Sequence, residues 1–340
     1  MNREAARLTR RDFLRLSLLG GLVLAVPLVS RLPFPKQAKG STKTIYAMGT
    51  AVTIEVQDEL DPNSLDGAMS SAFGEVQRLE ALLTHFDPSS QLSSLNVTGE
   101  IGGASDELVS VLSSSIRSSE STGGAFDATV QPALDLFSRF LGGGPLPSDS
   151  DFEAAQKLID YQDVSISSHS IGFEKKGMEA TLDGIATGYI IDSAVSALKA
   201  SGVRSALVQA GGTIFALGAQ ADGSPWQIGV QDPLNPDGTV ATLFLKDQAV
   251  ATSGDYEDYY TPDKSYYHIV DPSDARSPLY SHSATVVAPT VMQADPLGVV
   301  LMVKSPADGV RLVEGLKDVE CLVCPRSGGT VSSSGLPVSK

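Results

Sequence analysis

At the run Gly142-Gly-Gly-Pro145 the chain changes rhythm, and no other feature restricts the fold as much. Before it the apolar residues keep helical spacing: Met69, Ala72, Phe73, Val76, Leu79, Leu82 and Leu83 in one stretch, Leu108, Val111, Leu112 and Ile116 in a second. Ser105 is placed to cap the second, and a third helix is predicted over Thr129–Phe140. After the breaker come a short helix near Asp151–Ile159, strands at Val164–Ser167 and Ser170–Glu174, and a helix over Ile185–Ala200. Short strands with turn signals follow at Ala206–Gln209, Ile214–Leu217, Trp226–Val230, Val240–Phe244, Tyr266–Val270 and Ala284–Val287, then helices near 290–303 and 306–316. Tyr46–Val56 alternates as a strand. There is no regular βαβ rhythm and no internal repeat. The pattern predicts an α+β fold with mainly antiparallel or mixed sheets flanked by helices.

The first forty residues belong to something other than this fold. They carry eight basic side chains and two acidic ones, which leaves 17 basic against 38 acidic, a net −21, on the remaining 300. A body this acidic repels phosphate backbones, so no nucleic-acid partner is expected. Arg10-Arg11 followed by Phe13-Leu14 is the twin-arginine export pattern. The apolar run Leu16–Val29 is shorter than the ~20 residues a spanning helix needs. Residues 1–30 are therefore read as a twin-arginine signal, with an uncleaved membrane anchor as the alternative, because no clean small-x-small cleavage site follows. Residues 31–43 read as a linker and 44–340 as the folded body. The expected location is the periplasm or the outer face of the inner membrane.

Cys321 and Cys324 form a C-x-x-C pair, which invites a redox or metal reading. On a short strand, however, i and i+3 point to opposite faces, and two thiols make half a zinc site; buried strand cysteines are the better reading. Phosphate-loop, H-E-x-x-H, G-x-S-x-G and EF-hand patterns are absent, and the four histidines are dispersed. What remains is a series of polar, Gly-bearing segments at element ends: Met48-Gly49-Thr50, Phe86–Asn96, Thr122–Thr129, Asp183–Tyr189, Gln209–Thr213, Thr252–Tyr256 and Tyr267–Pro272. Each alone is more often a turn than a site. Glycines ahead of a helix let backbone N–H groups approach a phosphate, and 183–192 has that form.

In order and spacing this series resembles the ApbE family of flavin transferases, from about Met48 to Val303. Gly124-Ala-Phe-Asp127, Thr252-Ser-Gly254 and His268-Ile-Val-Asp-Pro272 carry the likeness most specifically. The resemblance implies an ApbE-like, T-fold-related architecture. It implies FAD:protein FMN transfer, in which FAD is cut and FMN is placed on a Thr or Ser of an exported acceptor protein, with Mg²⁺ on the pyrophosphate. It further implies that Met48, Phe86, Ala125, Phe126, Asp127, Thr181, Thr187 and Ile269 line the FAD site. His268 corresponds to the base toward the acceptor hydroxyl, and Gly184, Asp295 and Val299 occupy the metal positions.

The departures from the family pattern fall on those same positions. The family's Asp-Leu-Gly-Gly-Ile-Ala-Lys-Gly reads Thr181-Leu-Asp-Gly-Ile-Ala-Thr187-Gly188 here, so the acid is displaced by two and the Lys is Thr. Val299 supplies no oxygen where relatives carry a hydroxyl. Pro296 follows Asp295, which predicts a helix starting near Asp295. Asp271-Pro-Ser-Asp-Ala275 lacks the family's turn glycine. Three readings follow: a transferase, a catalytically impaired FAD-binding protein acting as flavin carrier or partner-binding module, and a Mg²⁺-dependent FAD pyrophosphatase.

Overall fold

A computed structural model describes residues 40–141 and 143–338. The predicted export segment and the linker up to residue 39 lie outside the described residues. In chain order, strands β1 (Ser41–Ala47) and β2 (Thr50–Val56) lead to helices α1 (Pro62–Leu83) and α2 (Gln91–Thr98). Strand β3 (Glu100–Ile101), helices α3 (Asp106–Thr122), α4 (Gln131–Leu141) and α5 (Asp149–Gln156), and strands β4 (Val164–Ser167) and β5 (Ser170–Phe173) follow. Helix α6 (Ala186–Ala200) precedes β6 (Ala206–Ala210), β7 (Thr213–Leu217), β8 (Trp226–Asp232), β9 (Asn235–Leu245), β10 (Gln248–Gly254) and β11 (Ser281–Ala288). Helices α7 (Val291–Val303) and α8 (Pro306–Glu314) and strands β12 (Glu320–Pro325) and β13 (Val331–Ser332) close the chain.

The main sheet has eight strands in the order β1-β2-β6-β7-β10-β11-β12-β13, and every pair in it is antiparallel. Both faces are covered, and the strand sequences say why. Side chains alternate in direction along a strand, and here both alternating sets are apolar. Val208, Phe215, Ala249, Ala251, Val286, Cys321 and Val323 face the larger core, which they share with α1, α6 and α7. Leu207, Ile214, Val250, Val287, Leu322 and Cys324 face a second core beneath the β8–β9 hairpin, which carries Trp226, Ile228 and Leu243. The two cysteines therefore lie in different cores, buried and free, as their i, i+3 spacing predicts. Among the described residues no three His, Cys, Asp or Glu side chains gather to hold a metal ion.

Four expectations are corrected. The strand over Tyr46–Val56 is a hairpin: Ala47 pairs with Thr50 across a two-residue turn in which Met48 and Gly49 both have positive φ, 53° and 70°. Alternation continues through such a turn, so the pattern alone does not reveal it. The linker ends before Ser41, because residues 41–43 already pair with β2. Tyr266–Val270 is not a strand but the return limb of a loop, joined to Tyr259 through Tyr267 by an isolated bridge. Helix α7 runs Val291–Val303, as the reading near 290–303 has it, and Pro296 lies inside it, so the start expected near Asp295 is corrected. Two carboxylate hydrogen bonds and the Thr290 cap fix that earlier start, at the cost of the helical bond that Pro296 cannot donate to the Met292 carbonyl.

Candidate active site

Three of the Gly-bearing segments meet at one end of the main sheet. Antiparallel pairing places the β1–β2 turn (48–49), the β6–β7 turn (211–212) and the end of β10 at that same end. Contacts follow the topology. A Cβ on Gly211 would meet Oγ1 of Thr50 at 3.7 Å, and one on Gly212 would strike the Thr252 carbonyl at 2.9 Å and Oε1 of Glu257 at 3.3 Å. Met48 is half-buried in its left-handed turn, and its N–H donates to Oε1 of Glu80 at 2.5 Å. A methionine held at positive φ is strained, a cost that persists where position matters more than stability.

The second component is the junction of α6 and α7, where two helices cap each other. The N-cap position of α6 is Ile185, which has no side-chain acceptor. The missing acceptor comes from the other helix: Gly188 N–H donates to Oδ2 of Asp295 at 3.3 Å. In return Asp192 of α6 accepts from the N–H groups of Val291 and Met292, at 3.0 and 2.9 Å. This reciprocity needs close approach. A Cβ on Gly188 would lie 2.8 Å from Cα of Met292, so only glycine fits. Gly298 similarly lets α7 sit on β10, since a Cβ there would come within 2.8 Å of Oγ of Ser253.

Each predicted site residue has a definite place. Phe126 and Val299 meet over Gly184: a Cβ on Gly184 would stand 3.1 Å from Phe126 Cε2 and 3.3 Å from Val299 Cγ2. Thr187 is half-buried in the first turn of α6, one residue before the Gly188 amide on Asp295. Phe86 is 75% exposed, and its ring lies 3.9 Å from that of His85. His85 in turn brings Nδ1 to 3.6 Å from Oδ1 of Asp183, tying the Phe86 segment to the loop ahead of α6. Three residues are turned to structural work. Asp127 is buried and accepts from the N–H and Oγ1 of Thr129 and the N–H of Tyr161, at 2.8, 2.7 and 2.8 Å. Thr181 donates its N–H to the Ala128 carbonyl and accepts from Asp183 N–H at 3.2 Å. Ile269 is buried in the larger core, and Ala125 beside Phe126 is also buried.

His268 is half-buried and oriented by one atom. The Asp258 carbonyl accepts from its backbone N–H at 2.9 Å and lies 3.3 Å from its Nδ1. A carbonyl only accepts, so Nδ1 is the donor, and in the neutral ring the lone pair is on Nε2. That is the form a general base needs.

The electrostatics around these groups are negative. Desolvation pushes the half-buried Asp295 carboxyl up to about 7, against the Gly188 N–H, and the charges of Glu257, Asp183 and Asp192 push the same way. Burial also raises Asp192, which its two amide donors partly offset. Glu257 is exposed as a residue but packs its carboxylate on the Gly212 backbone; lost hydration raises its pKa and the His268 imidazole lowers it. Sequence reasoning missed His85 as a partner of Asp183, and it missed Glu257, Asp192 and the Asp258 carbonyl. A backbone oxygen and contacts spanning many residues leave no motif to find.

The site suits Mg²⁺ only as a ligand-completed centre. Asp295 is a desolvated carboxylate that a cation would relieve, but Val299 presents methyl groups over Gly184. Mg²⁺ is commonly held by one or two carboxylates plus phosphate oxygens and water, and this donor set fits that arrangement.

The profile described as "ApbE family" matches residues 48–323. A FAD:protein FMN transferase from Vibrio cholerae serotype O1 is 30% identical over 68% of this chain and 72% of its own length. One from Haemophilus influenzae is 26% identical over 95% of this chain and 97% of its own. Among solved structures, the ApbE protein of Thermotoga maritima superposes with a TM-score of 0.79 at 28% identity, covering 87% of this chain and 97% of that one. The apo form of the Pseudomonas stutzeri flavinyl transferase ApbE superposes at 0.76 with 27% identity, covering 89% and 97%.

Proposed function

The chain belongs to the ApbE family, and from that premise we propose how its cleft acts as an FAD:protein FMN transferase. The acceptor is a Thr or Ser hydroxyl of another protein. Its oxygen attacks the FMN-side phosphorus of FAD, a new P–O bond forms, the pyrophosphate P–O bond breaks, and AMP leaves with the bonding pair. His268 Nε2 takes the hydroxyl proton, and the Asp258 carbonyl holds the ring in the required tautomer. That single observation carries the reading.

Phosphoryl transfer depends mainly on positioning and charge neutralisation. Phe86, Met48 and Phe126 are the proposed FAD contacts, with Phe86 free to stack on the isoalloxazine or adenine ring. Thr187 offers one hydroxyl to the phosphates, and the α6 N-terminus offers backbone amides. Asp295 and the Gly184 carbonyl would hold Mg²⁺, which would neutralise pyrophosphate charge. The acceptor is proposed to be an exported protein, and this chain to reach it by the twin-arginine signal of residues 1–30, in the periplasm or anchored at the outer face of the inner membrane. Among the described residues no helix is long and apolar enough to cross a membrane.

The full chain incubated with FAD, Mg²⁺ and a Thr-bearing acceptor domain should leave FMN covalently on the acceptor, read by mass spectrometry. His268→Ala should slow transfer by about 10²–10⁴-fold while FAD still binds. Retained transfer in that variant removes His268 from the mechanism. A second reading, FAD hydrolysis with water as the acceptor, is favoured by the partial exposure of His268. AMP release as fast without acceptor as with it would establish that reading instead.

A further inference from the structure

His268 stands at the foot of a loop that leaves the sheet after β10 and returns before β11. The two limbs meet at Asp258 with His268, at the Tyr259–Tyr267 bridge, and where Tyr260 N–H donates to the Tyr266 carbonyl at 2.8 Å. One side of the loop is held by rings. Tyr260 stacks on Phe137 at 4.6 Å between centroids, and Tyr266 on Phe152 at 5.8 Å. On the other side a guanidinium nitrogen links the start of the loop to its tip. Arg326, just past β12, donates from Nη2 to Oδ2 of Asp255 at 2.8 Å and to the Lys264 carbonyl at 2.8 Å. Asp255 begins the outgoing limb and Lys264 lies at the tip, so one atom ties both ends of the limb together.

Asp255 has a fully buried carboxylate, which also accepts from Nδ1 of His282 at 2.8 Å. Nζ of Lys264 lies 4.0 Å from Oδ1 of Asp255 and sits over the rings of Tyr256 and Tyr259. Arg326 is anchored at its own backbone, where its N–H donates to the Tyr280 carbonyl at 3.0 Å. The hydrogen bond that orients the His268 ring is long, at 3.3 Å, and so depends on the register of the two limbs.

We propose that Arg326 is a positioning residue for FMN transfer: its bridge from Asp255 to Lys264 sets the loop so that His268 Nε2 meets the acceptor hydroxyl. The proposal rests on His268 as the base. Misplacing a reacting group by about 1 Å costs on the order of 10²-fold in rate, so loosening this loop acts on turnover and spares FAD affinity.

The test uses the full chain with Arg326→Met, Arg326→Lys and the pair Asp255→Asn/Arg326→Met. Turnover, KM for FAD, melting temperature and the imidazole ¹⁵N tautomer signature of His268 are measured on each. Arg326→Met should lower kcat by about 10–100-fold with KM for FAD changed less than about twofold, and should lose the single Nδ1–H tautomer. Arg326→Lys should recover part of kcat, because an ammonium still reaches Asp255. The double variant removes the unpaired buried carboxylate, so it should regain melting temperature without regaining kcat. A folded Arg326→Met with unchanged kcat overturns the proposal, and so does a double variant that regains kcat together with stability. His268→Ala run in parallel separates the two ideas. Transfer surviving in that variant refutes the base, whereas its loss beside an active Arg326→Met refutes only the positioning role.

Discussion

On the side of the proposed base, His268 is fixed by the Asp258 carbonyl, its loop is tied by Arg326, and two tyrosines of that loop stack on α4 and α5. On the proposed phosphate side, Thr187 offers a hydroxyl and no charge, Val299 closes on Gly184, and the carboxylate of Asp295 is already engaged by an amide. Neighbours over-determine the first region; the second offers few charged or oxygen-bearing side chains. Under the proposed function, the proton-transfer side is the more tightly built of the two, and phosphate would meet mainly backbone amides in a body of net charge −21.

The sharpest test of that contrast is Asp295→Asn. The carboxyl is raised in the folded state from about 3.9 to about 7, so the folded protein binds the proton more tightly than the unfolded chain does. Its penalty on stability is absent below about pH 4, grows through the interval between those values, and is complete above about pH 7. Asn should therefore stabilise the protein by up to about 4 kcal/mol at pH 8 and by nothing at pH 4, while weakening the response to Mg²⁺. Urea melts at both pH values check the sign. Gly188→Ala should destabilise by about 1–3 kcal/mol by forcing α6 and α7 apart, a loss visible as a lower melting temperature. Thr187→Lys should tighten FAD binding about tenfold by restoring a charge-assisted contact, measured by fluorescence titration. No tightening would place the phosphates away from α6. The smallest effect belongs to the base side. Ala275 keeps a left-handed turn at φ 62° with its N–H on the Asp271 carbonyl. Ala275→Gly should gain about 1 kcal/mol or less, read from a denaturation midpoint, and leave kcat unchanged.

Where burial follows a period, the sequence was legible. The helices at Pro62–Leu83 and Ala186–Ala200 and the strands of the double-faced sheet match their apolar spacing, and α+β follows from them. Helix α2 escaped because it buries only Leu92, Ser93 and Leu95, too few to set a pattern. Tyr266–Val270 read as a strand because aromatic and branched residues favour one, yet its rings pack on helices and not across a ladder. In the site, motif order located the segments, and the structure separated their duties: Phe126 and Val299 face Gly184, while Asp127 and Thr181 brace turns. The reciprocal caps of α6 and α7 and the Arg326 bridge join residues far apart in the chain, and no local signal encodes them.

Strand β12 seals one thiol on each side of the main sheet, and burial pushes the Cys321 thiol up to about 11. An oxidant reaches neither while the sheet is intact, and the two sulfurs cannot meet across it. The folded body therefore holds its two thiols free and apart, with no disulfide between them. The same arrangement gives two independent reporters of opening: alkylation at Cys324 records release of the β8–β9 hairpin, and alkylation at Cys321 records departure of the helical layer.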